Sequence, residues 1–331
     1  MILVCGGAGY IGSHMVQELV RQGFEVAVLD NLQSGHRAAV DPRAQFFEGD
    51  MRDGDTLDRI MSRGVTEVVH FAANSLVGES VEKPLKYYDN NVHGMEVLLS
   101  AMLRHKVGRI VFSSTAAVYG EPERVPIMEE APARPTNPYG ETKLAMEKMM
   151  KWVEKAHGLR YVSLRYFNVA GAAADGSLGE DHRPETHLIP LVLRVPLGQM
   201  AEIGVFGSDY DTPDGSCIRD YVHVGDLAQA HLLALEYLKK GGDGGIFNLG
   251  SAQGFSVFEI IRAAEKVTGQ KIKTAVKPRR AGDPARLVAD SSRARTILGW
   301  RPVWERVEDI IATAWNWHRK HPEGWGDDFN K

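Results

Sequence analysis

The chain has 331 residues, 44% hydrophobic and 25% charged, proportions of an ordinary globular protein with room for one large domain or two smaller ones. Its net charge is −4 with Lys and Arg scattered, which argues against nucleic acid, and no apolar run approaches the roughly 20 residues that span a membrane. Cys5 and Cys217 are the only cysteines, which excludes a disulfide scaffold and points to a reducing, cytoplasmic setting.

The first half alternates short apolar runs with amphipathic stretches. Strands are expected at Ile2–Cys5, Glu25–Asp30, Gln45–Glu48, Glu67–Phe71, Arg109–Ser113 and Tyr161–Tyr166. Helices are expected between them at Gly12–Gln22, Thr56–Ser62, Lys86–His105 and Tyr139–Ala156. Strands separated by helical patterns make βαβ units, and right-handed crossovers then give an α/β fold with a doubly wound parallel sheet. Met1–Cys5 runs directly into glycines, so no signal peptide is expected at this end.

Beyond about Phe167 the texture changes. Residues 171–183 are rich in Gly, Ala and Asp, as in a surface loop. Helical patterns return at Asp226–Leu238, Val257–Thr268, Ser291–Leu298 and Val307–Trp317, with β-like pieces at Glu202–Phe206, Ile246–Leu249 and Ile272–Val276. The expected organisation is a dinucleotide-binding domain over residues 1–170 and a smaller mixed α/β substrate domain over 171–331, with 219–238 packing back on the first.

Directly after the first strand comes Gly6-Gly7-Ala8-Gly9-Tyr10-Ile11-Gly12, in which Gly6, Gly9 and Gly12 are spaced G-x-x-G-x-x-G. Residues without a Cβ permit a tight turn and close approach of a pyrophosphate, and the following helix presents unpaired N–H groups to it. The triplet carries weight because it sits between strand and helix. Asp30 closes the second strand, where a carboxylate bonds ribose hydroxyls and repels a 2′-phosphate. Asn31 beside it is neutral, so NAD is favoured over NADP. Asp50 has two readings, an adenine partner or the cap of the helix near Asp53.

Tyr139 and Lys143 share one helical face by their i, i+4 spacing. A phenol ionises near pH 10, too high for a base at neutral pH, and a fixed ammonium nearby moves it toward working range. Thr115 follows the fifth strand in Val111-Phe112-Ser113-Ser114-Thr115, at the carboxyl edge where such sheets place ligands. Neither cysteine has metal-ligand spacing and the twelve histidines contain no His-x-x-x-His pair, so no metal is expected.

With these motifs, and with His70-Phe71-Ala72-Ala73, Tyr87-Tyr88-Asp89-Asn90-Asn91-Val92, Asn137-Pro138-Tyr139-Gly140, Leu164-Arg165-Tyr166-Phe167-Asn168, Arg219-Asp220-Tyr221-Val222-His223 and Arg280-Ala281-Gly282-Asp283, the chain resembles the extended short-chain dehydrogenase/reductases, within them the UDP-glucose 4-epimerases. The resemblance runs from Met1 to about Trp304 and implies a Rossmann sheet and tightly held NAD. It places Tyr10 and Ile11 at the pyrophosphate, Asp50 and Met51 at the adenine, Phe71, Ala72, Ala73, Ser75 and Asn90 along the ribose and nicotinamide side, and Phe167 near the nicotinamide. It makes Tyr139, Lys143 and Thr115 catalytic, with a UDP-hexose oxidised at C4′, turned over and reduced on its other face. Arg219 and Arg280 would grip the diphosphate, with Asn168, His187, Leu188, Phe206 and Asp283 around the UDP.

Two departures stand out. Asn74 and Ser75 replace a lysine that many relatives carry near the nicotinamide ribose, and Thr115 stands where many have Ser. Leu287 takes a gate position that is a large aromatic in members confined to unacetylated sugars, so UDP-N-acetylhexosamines are expected as further substrates. Ala116-Ala117 follow Thr115 where dehydratases of the family have Asp-Glu, which argues against that reaction. A uronate or N-acetylhexosamine epimerase remains the alternative, whereas a non-catalytic NAD sensor would lack Tyr139 or Lys143. The two helical stretches rich in Met and Leu, 86–105 and 139–156, are expected to pair in a homodimer through a four-helix bundle.

Overall fold

The computed structural model describes residues 1–280 and 283–326. Its first half runs β1 (Ile2–Cys5), α1 (Tyr10–Arg21), β2 (Val26–Asp30), β3 (Gln45–Glu48), α2 (Gly54–Met61), β4 (Glu67–His70) and α3 (Val77–Glu82). It continues through α4 (Pro84–Tyr87), α5 (Gly94–Arg104), β5 (Arg109–Ser113), α6 (Pro138–His157) and β6 (Arg160–Tyr166). The second half holds β7 (Asn168–Ala170), α7 (Leu188–Arg194), β8 (Ile203–Phe206), β9 (Ile218–Arg219), β10 (Tyr221–His223), α8 (Val224–Lys239) and β11 (Gly245–Leu249). β12 (Phe255–Ser256), α9 (Val257–Thr268), β13 (Thr274–Lys277), β14 (Arg286–Leu287) and α10 (Val307–Lys320) complete it.

Seven parallel strands form the main sheet in the order β11-β6-β5-β4-β1-β2-β3. The chain builds outward from β1 to β3, then returns to β4 on the other side of β1. That reversal opens a crevice at the carboxyl ends of β1 and β4, where a doubly wound sheet takes its ligand. Side chains alternate across the sheet: Ile2 and Val4 join the core under α1 and α8, while Leu3 and Cys5 join the core under α2, α5 and α6. Near-continuous apolar strands are what a sheet covered on both faces requires.

Two expectations needed correction. Residues 246–249 were expected in the smaller part, yet β11 pairs in parallel with β6 and forms the sheet's outer strand. A short β-like run carries no record of its partner, and here α8 acts as the crossover that returns the chain to the sheet. The single helix expected over 86–105 begins at Pro84 and passes through a π-type segment, Tyr88–His93, before α5. By contrast α6 has a plain local origin. The Asn137 side chain caps the Gly140 N–H at 2.9 Å, Pro138 takes the first turn, and Gly158 ends the helix at φ 74°.

The remaining core gathers α7, α9, α10, β8 and β10 around Ile189, Val192, Ile260, Ile310 and Ile311. A fourth cluster joins Val118, Tyr119, Ile127 and Leu144 with the half-buried Phe167 and Leu287, and so bridges the sheet's edge to β14. Among the described residues no helix is long and apolar enough to cross a membrane.

Candidate active site

At Gly6 and Gly12 the loop leaves no space for a side chain. Gly6 sits at φ +78°, and a Cβ there would stand 2.5 Å from Ala72 N. A Cβ on Gly12 would stand 2.0 Å from Gly6 O, so α1 begins hard against the loop. Gly9 caps α1 without a side-chain acceptor, and the first turn carries no acidic residue. The helix therefore offers its N–H groups and dipole to an outside anion, which fits the pyrophosphate of a dinucleotide. The Tyr10 hydroxyl donates to Gly171 O at 2.6 Å and ties this corner to the second half. Ile11 packs half-buried on the core beneath.

Asp30 ends β2 at the same edge and accepts from Ala8 N at 3.0 Å and Leu32 N at 2.9 Å. Burial raises its carboxyl above the usual range, and these backbone bonds oppose the rise. Asp50 does not cap the next helix; Asp53 does, accepting from Asp55 N and Thr56 N. Asp50 instead pairs with Arg52 at 2.7 Å and accepts from Asn31 at 3.2 Å, and Arg52 above all brings it down to about 2. Arg52 also reaches Asp89, so a guanidinium that sequence reading passed over fixes the rim where Met51 lies buried. Its signal was an Asp-x-Arg turn after a strand, too common to stand out.

Phe71 and Ala72 continue from β4, both N–H groups donating to Cys5 O at 2.8 and 3.1 Å, and Phe71 packs on His231 with ring centres 4.7 Å apart. Ala73 follows half-buried, and Ser75 is exposed. Asn91, buried and also unforeseen, organises this stretch. It accepts from Asn74 N at 2.9 Å and from Asn90 at 2.9 Å, and donates to Asn74 O at 3.1 Å and Thr142 at 3.0 Å.

The three catalytic candidates converge at the end of β5. Thr115 leads a single helical turn, its hydroxyl accepting from Ala117 N at 3.1 Å. Burial pushes the Tyr139 phenol above its ordinary range, and a hydrogen bond with Thr115 draws it partly back. Lys143 lies one turn further along α6, with Nζ 6.0 Å from the Tyr139 ring centre. It donates to Ser113 O at 2.7 Å and sits 4.8 Å from the centre of the Phe112 ring. Burial lowers this ammonium to about 7, with Glu147 pulling the other way. The Lys143 charge therefore reaches Tyr139 through space, in surroundings that screen it little.

Beneath Lys143 lies an ion pair that the sequence did not reveal. Glu147 and Arg165 meet at 2.6 and 2.9 Å with almost no solvent contact, and Ser114 donates to Glu147 at 2.5 Å. Arg165 also covers the Tyr119 ring at 4.8 Å. The pair fixes α6 against β6, and Glu147 takes up the Ser114 hydroxyl as a donor.

On the far side of the crevice, β9 carries Arg219 between β12 and β14, with Leu287 directly opposite it in register. Arg219 pairs with Asp283, and Arg280 stacks over Phe206 at 3.9 Å. Asn168 donates to Asp220 O at 3.0 Å, while the Asp220 carboxylate is buried on Ser251 and Ala289 N rather than paired with Arg219. Leu188 begins α7 and packs on the second core. His187 has other neighbours: its Nδ1 lies 2.6 Å from Glu180 and 3.4 Å from Glu185.

A Rossmann sheet with an anion-binding glycine loop, a strand-end Asp and a Tyr, Lys and Thr cluster defines a dinucleotide-dependent enzyme. The family model "NAD dependent epimerase/dehydratase family" matches residues 2–250. The UDP-glucose 4-epimerase of Lacticaseibacillus casei is 58% identical over 327 residues, covering 98% of this chain and 99% of that one. A crystal structure of a UDP-glucose 4-epimerase superposes with a TM-score of 0.97 at 56% identity, covering 98% and 99% of the two chains. That of Bifidobacterium longum, in complex with NAD+ and UDP, gives 0.92 at 41% identity over 98% and 99%. The chain belongs to the NAD-dependent epimerase/dehydratase family, and within it to the UDP-glucose 4-epimerases.

Removing one partner of a buried pair leaves the other charge uncompensated. Glu147→Ala is expected to lower the free energy of unfolding by about 3–5 kcal/mol in urea titrations, whereas replacing Glu147 and Arg165 together by Leu and Met should recover most of that loss.

Proposed function

We propose that the chain interconverts UDP-glucose and UDP-galactose by inverting C4′ through a 4-keto sugar. The observation that carries this reading is the meeting of Tyr139, Thr115 and Lys143 at the sheet's carboxyl edge, with Ala116-Ala117 beside them. Those alanines offer no second proton-transfer group of the kind that removing water from the sugar would need.

Gly6, Gly9, Tyr10, Ile11 and Gly12 would hold the NAD pyrophosphate, Asp30 and Asn31 the adenosine ribose, and Asp50 and Met51 the adenine. Phe71, Ala72, Ala73, Ser75, Asn90 and Phe167 would border its nicotinamide half. Held there, NAD would supply a hydride acceptor and donor for C4′.

Tyr139 takes the proton of the 4′-hydroxyl and later gives it back, with Thr115 holding that hydroxyl in place. Burial disfavours a lone phenolate, so Tyr139 loses its proton only while the Lys143 ammonium stands by. Arg219, Arg280, Asn168, Leu188, Phe206 and Asp283 would hold the UDP while the keto sugar turns. Stacking on Phe206 engages the face of the Arg280 guanidinium, and its N–H edge is the part that forks onto phosphate oxygens.

Incubation with UDP-galactose is expected to yield UDP-glucose, and Tyr139→Phe to reduce kcat by about 10²–10⁴-fold. Lys143→Met removes the charge that favours the phenolate, so the acid limb of its pH–rate profile should move to higher pH; an unmoved limb would refute the through-space role.

Leu287 favours a broader substrate range. It packs half-buried with Phe167 in the cluster bridging the two units, directly across from Arg219. UDP-N-acetylglucosamine should be turned over, and Leu287→Tyr should abolish that activity while sparing UDP-galactose in the same product assay.

We also infer a homodimer, acting in a reducing cytoplasm where Cys5 and Cys217 stay as thiols. The Met and Leu residues expected at the interface mostly face inward: Met95, Leu98, Leu99, Met102, Met146 and Met150 belong to the chain's own core. What supports the pairing is a different set, Trp152 on α6 (65% exposed) with Val81 on α3 (62%), Leu85 on α4 (80%) and Tyr88 (43%) in the turns that lead into α5. Sedimentation should show a dimer, and Leu85→Glu with Trp152→Glu should convert it to a monomer.

A further inference from the structure

Between β7 and α7 the sequence reads Glu180-Asp181-His182-Arg183-Pro184-Glu185-Thr186-His187, and four of these side chains fold onto one point. One ligand atom from each of Glu180, His182, Glu185 and His187 lies within 4.8 Å of the other three. We propose that these four residues bind one zinc ion as a structural staple.

The distances suit that ion. His187 Nδ1 is 2.6 Å from Glu180 Oε1 and 3.4 Å from Glu185 Oε1, and His182 Nδ1 is 3.1 Å from Glu180 Oε1 and 3.7 Å from Glu185 Oε2. Tetrahedral zinc with nitrogen and oxygen ligands at about 2.0–2.1 Å sets those ligands roughly 3.3 Å apart; three of the four His–Glu distances lie within about 0.4 Å of that, and His187 would move away from Glu180 by about 0.7 Å. The charge also balances, because two carboxylates neutralise a divalent cation. Glu180 is 4% exposed and the Glu185 side chain 2%; their ion partners are His182 and the 51% exposed His187, and zinc would take the place of the protons between them.

A second observation concerns His182. Its Nδ1 is shielded from solvent and lies 3.1 Å from Glu180 Oε1 and 3.7 Å from Glu185 Oε2, at angles too poor for a well-formed hydrogen bond to either. Once its proton is displaced, an imidazole nitrogen placed between two carboxylates is a ready ligand for zinc. The surrounding shell is already fixed. Thr186 N and His187 N donate to Glu185 Oε1 at 2.7 and 2.8 Å, which leaves Oε2 to bind, and Trp317 donates to Glu180 O at 3.3 Å. Both carboxylates line a cavity of about 520 Å³ shared with Arg194 and His318, which gives an ion its entry path.

The position gives the ion a task. The His182 ring meets Tyr10 edge-on with centres 6.1 Å apart, His187 caps α7, and Trp317 lies on α10. One zinc would join the start of α1, which follows the glycine loop, to two helices of the second unit. The absence of Cys pairs and of His-x-x-x-His in the sequence speaks against a metal only for those spacings. Ligands two, three and two residues apart along this loop have neither spacing.

The test uses the tag-free full chain. Elemental analysis after gel filtration should find close to one zinc per chain, and zinc-edge X-ray absorption should show nitrogen and oxygen neighbours without sulfur, which separates this site from the two cysteines. Chelation should lower the melting temperature by several degrees, and Zn²⁺ but not Mg²⁺ should restore it. The double variant His182→Ala and His187→Ala should bind zinc at least about tenfold more weakly in calorimetry. The proposal is overturned if chelated wild-type protein, still folded by circular dichroism, takes up no zinc, or takes it up on sulfur. That measurement decides even if the variant does not fold.

Discussion

An ammonium deep in a protein must be solvated by the protein itself, and the region around Lys143 is arranged to meet that demand. The Ser113 carbonyl accepts from it, the Phe112 ring lies beneath it, and Glu147 stands one turn further along α6. Glu147 is in turn fixed by Arg165 and Ser114. His70 lies close by in the same core, held neutral by burial and by Lys143 itself, so no second positive charge competes. Tyr139 can then be both buried and ionisable, two properties that oppose each other unless a charge stands nearby.

Around this centre the fold separates two tasks. The sheet's switch point supplies a rigid edge whose backbone, through Gly6 and Gly12, is shaped for an anion. The second half supplies the cationic and aromatic side chains, Arg219 from β9 and the stacked Phe206 and Arg280 from the end of β8 and the loop after β13, and rests on a different core. Tyr10 on Gly171, Phe167 against Leu287, and Asn168 on Asp220 are among the contacts that hold the two together. A reaction that must release and re-present one sugar ring needs this division, because whatever grips the nucleotide cannot also grip the ring.

Much of this was legible in residues that act locally. The glycine loop is specified by backbone sterics over seven positions, α6 by its Asn137 cap, Pro138 and Gly158, and the strands by unbroken apolar runs. The i, i+4 spacing of Tyr139 and Lys143 follows from helix geometry alone. These features are short-range, so the order of residues records them.

What the tertiary structure decided involves residues far apart in the chain. β11 joins the main sheet because α8 brings it there, and Glu147 finds Arg165 across 18 positions. Asn91 finds Thr142 across 51, and Arg219 finds Asp283 across 64. Even within eight consecutive residues, the four side chains at Glu180–His187 converge only because the loop is folded against α1, α7 and α10. Sequence alone determined the local backbone shapes and the chemical types at the sheet's edge. Which charges would be buried, and with whom, depended on long-range packing, since a polar residue's partner is set by whatever surface the rest of the chain folds against it.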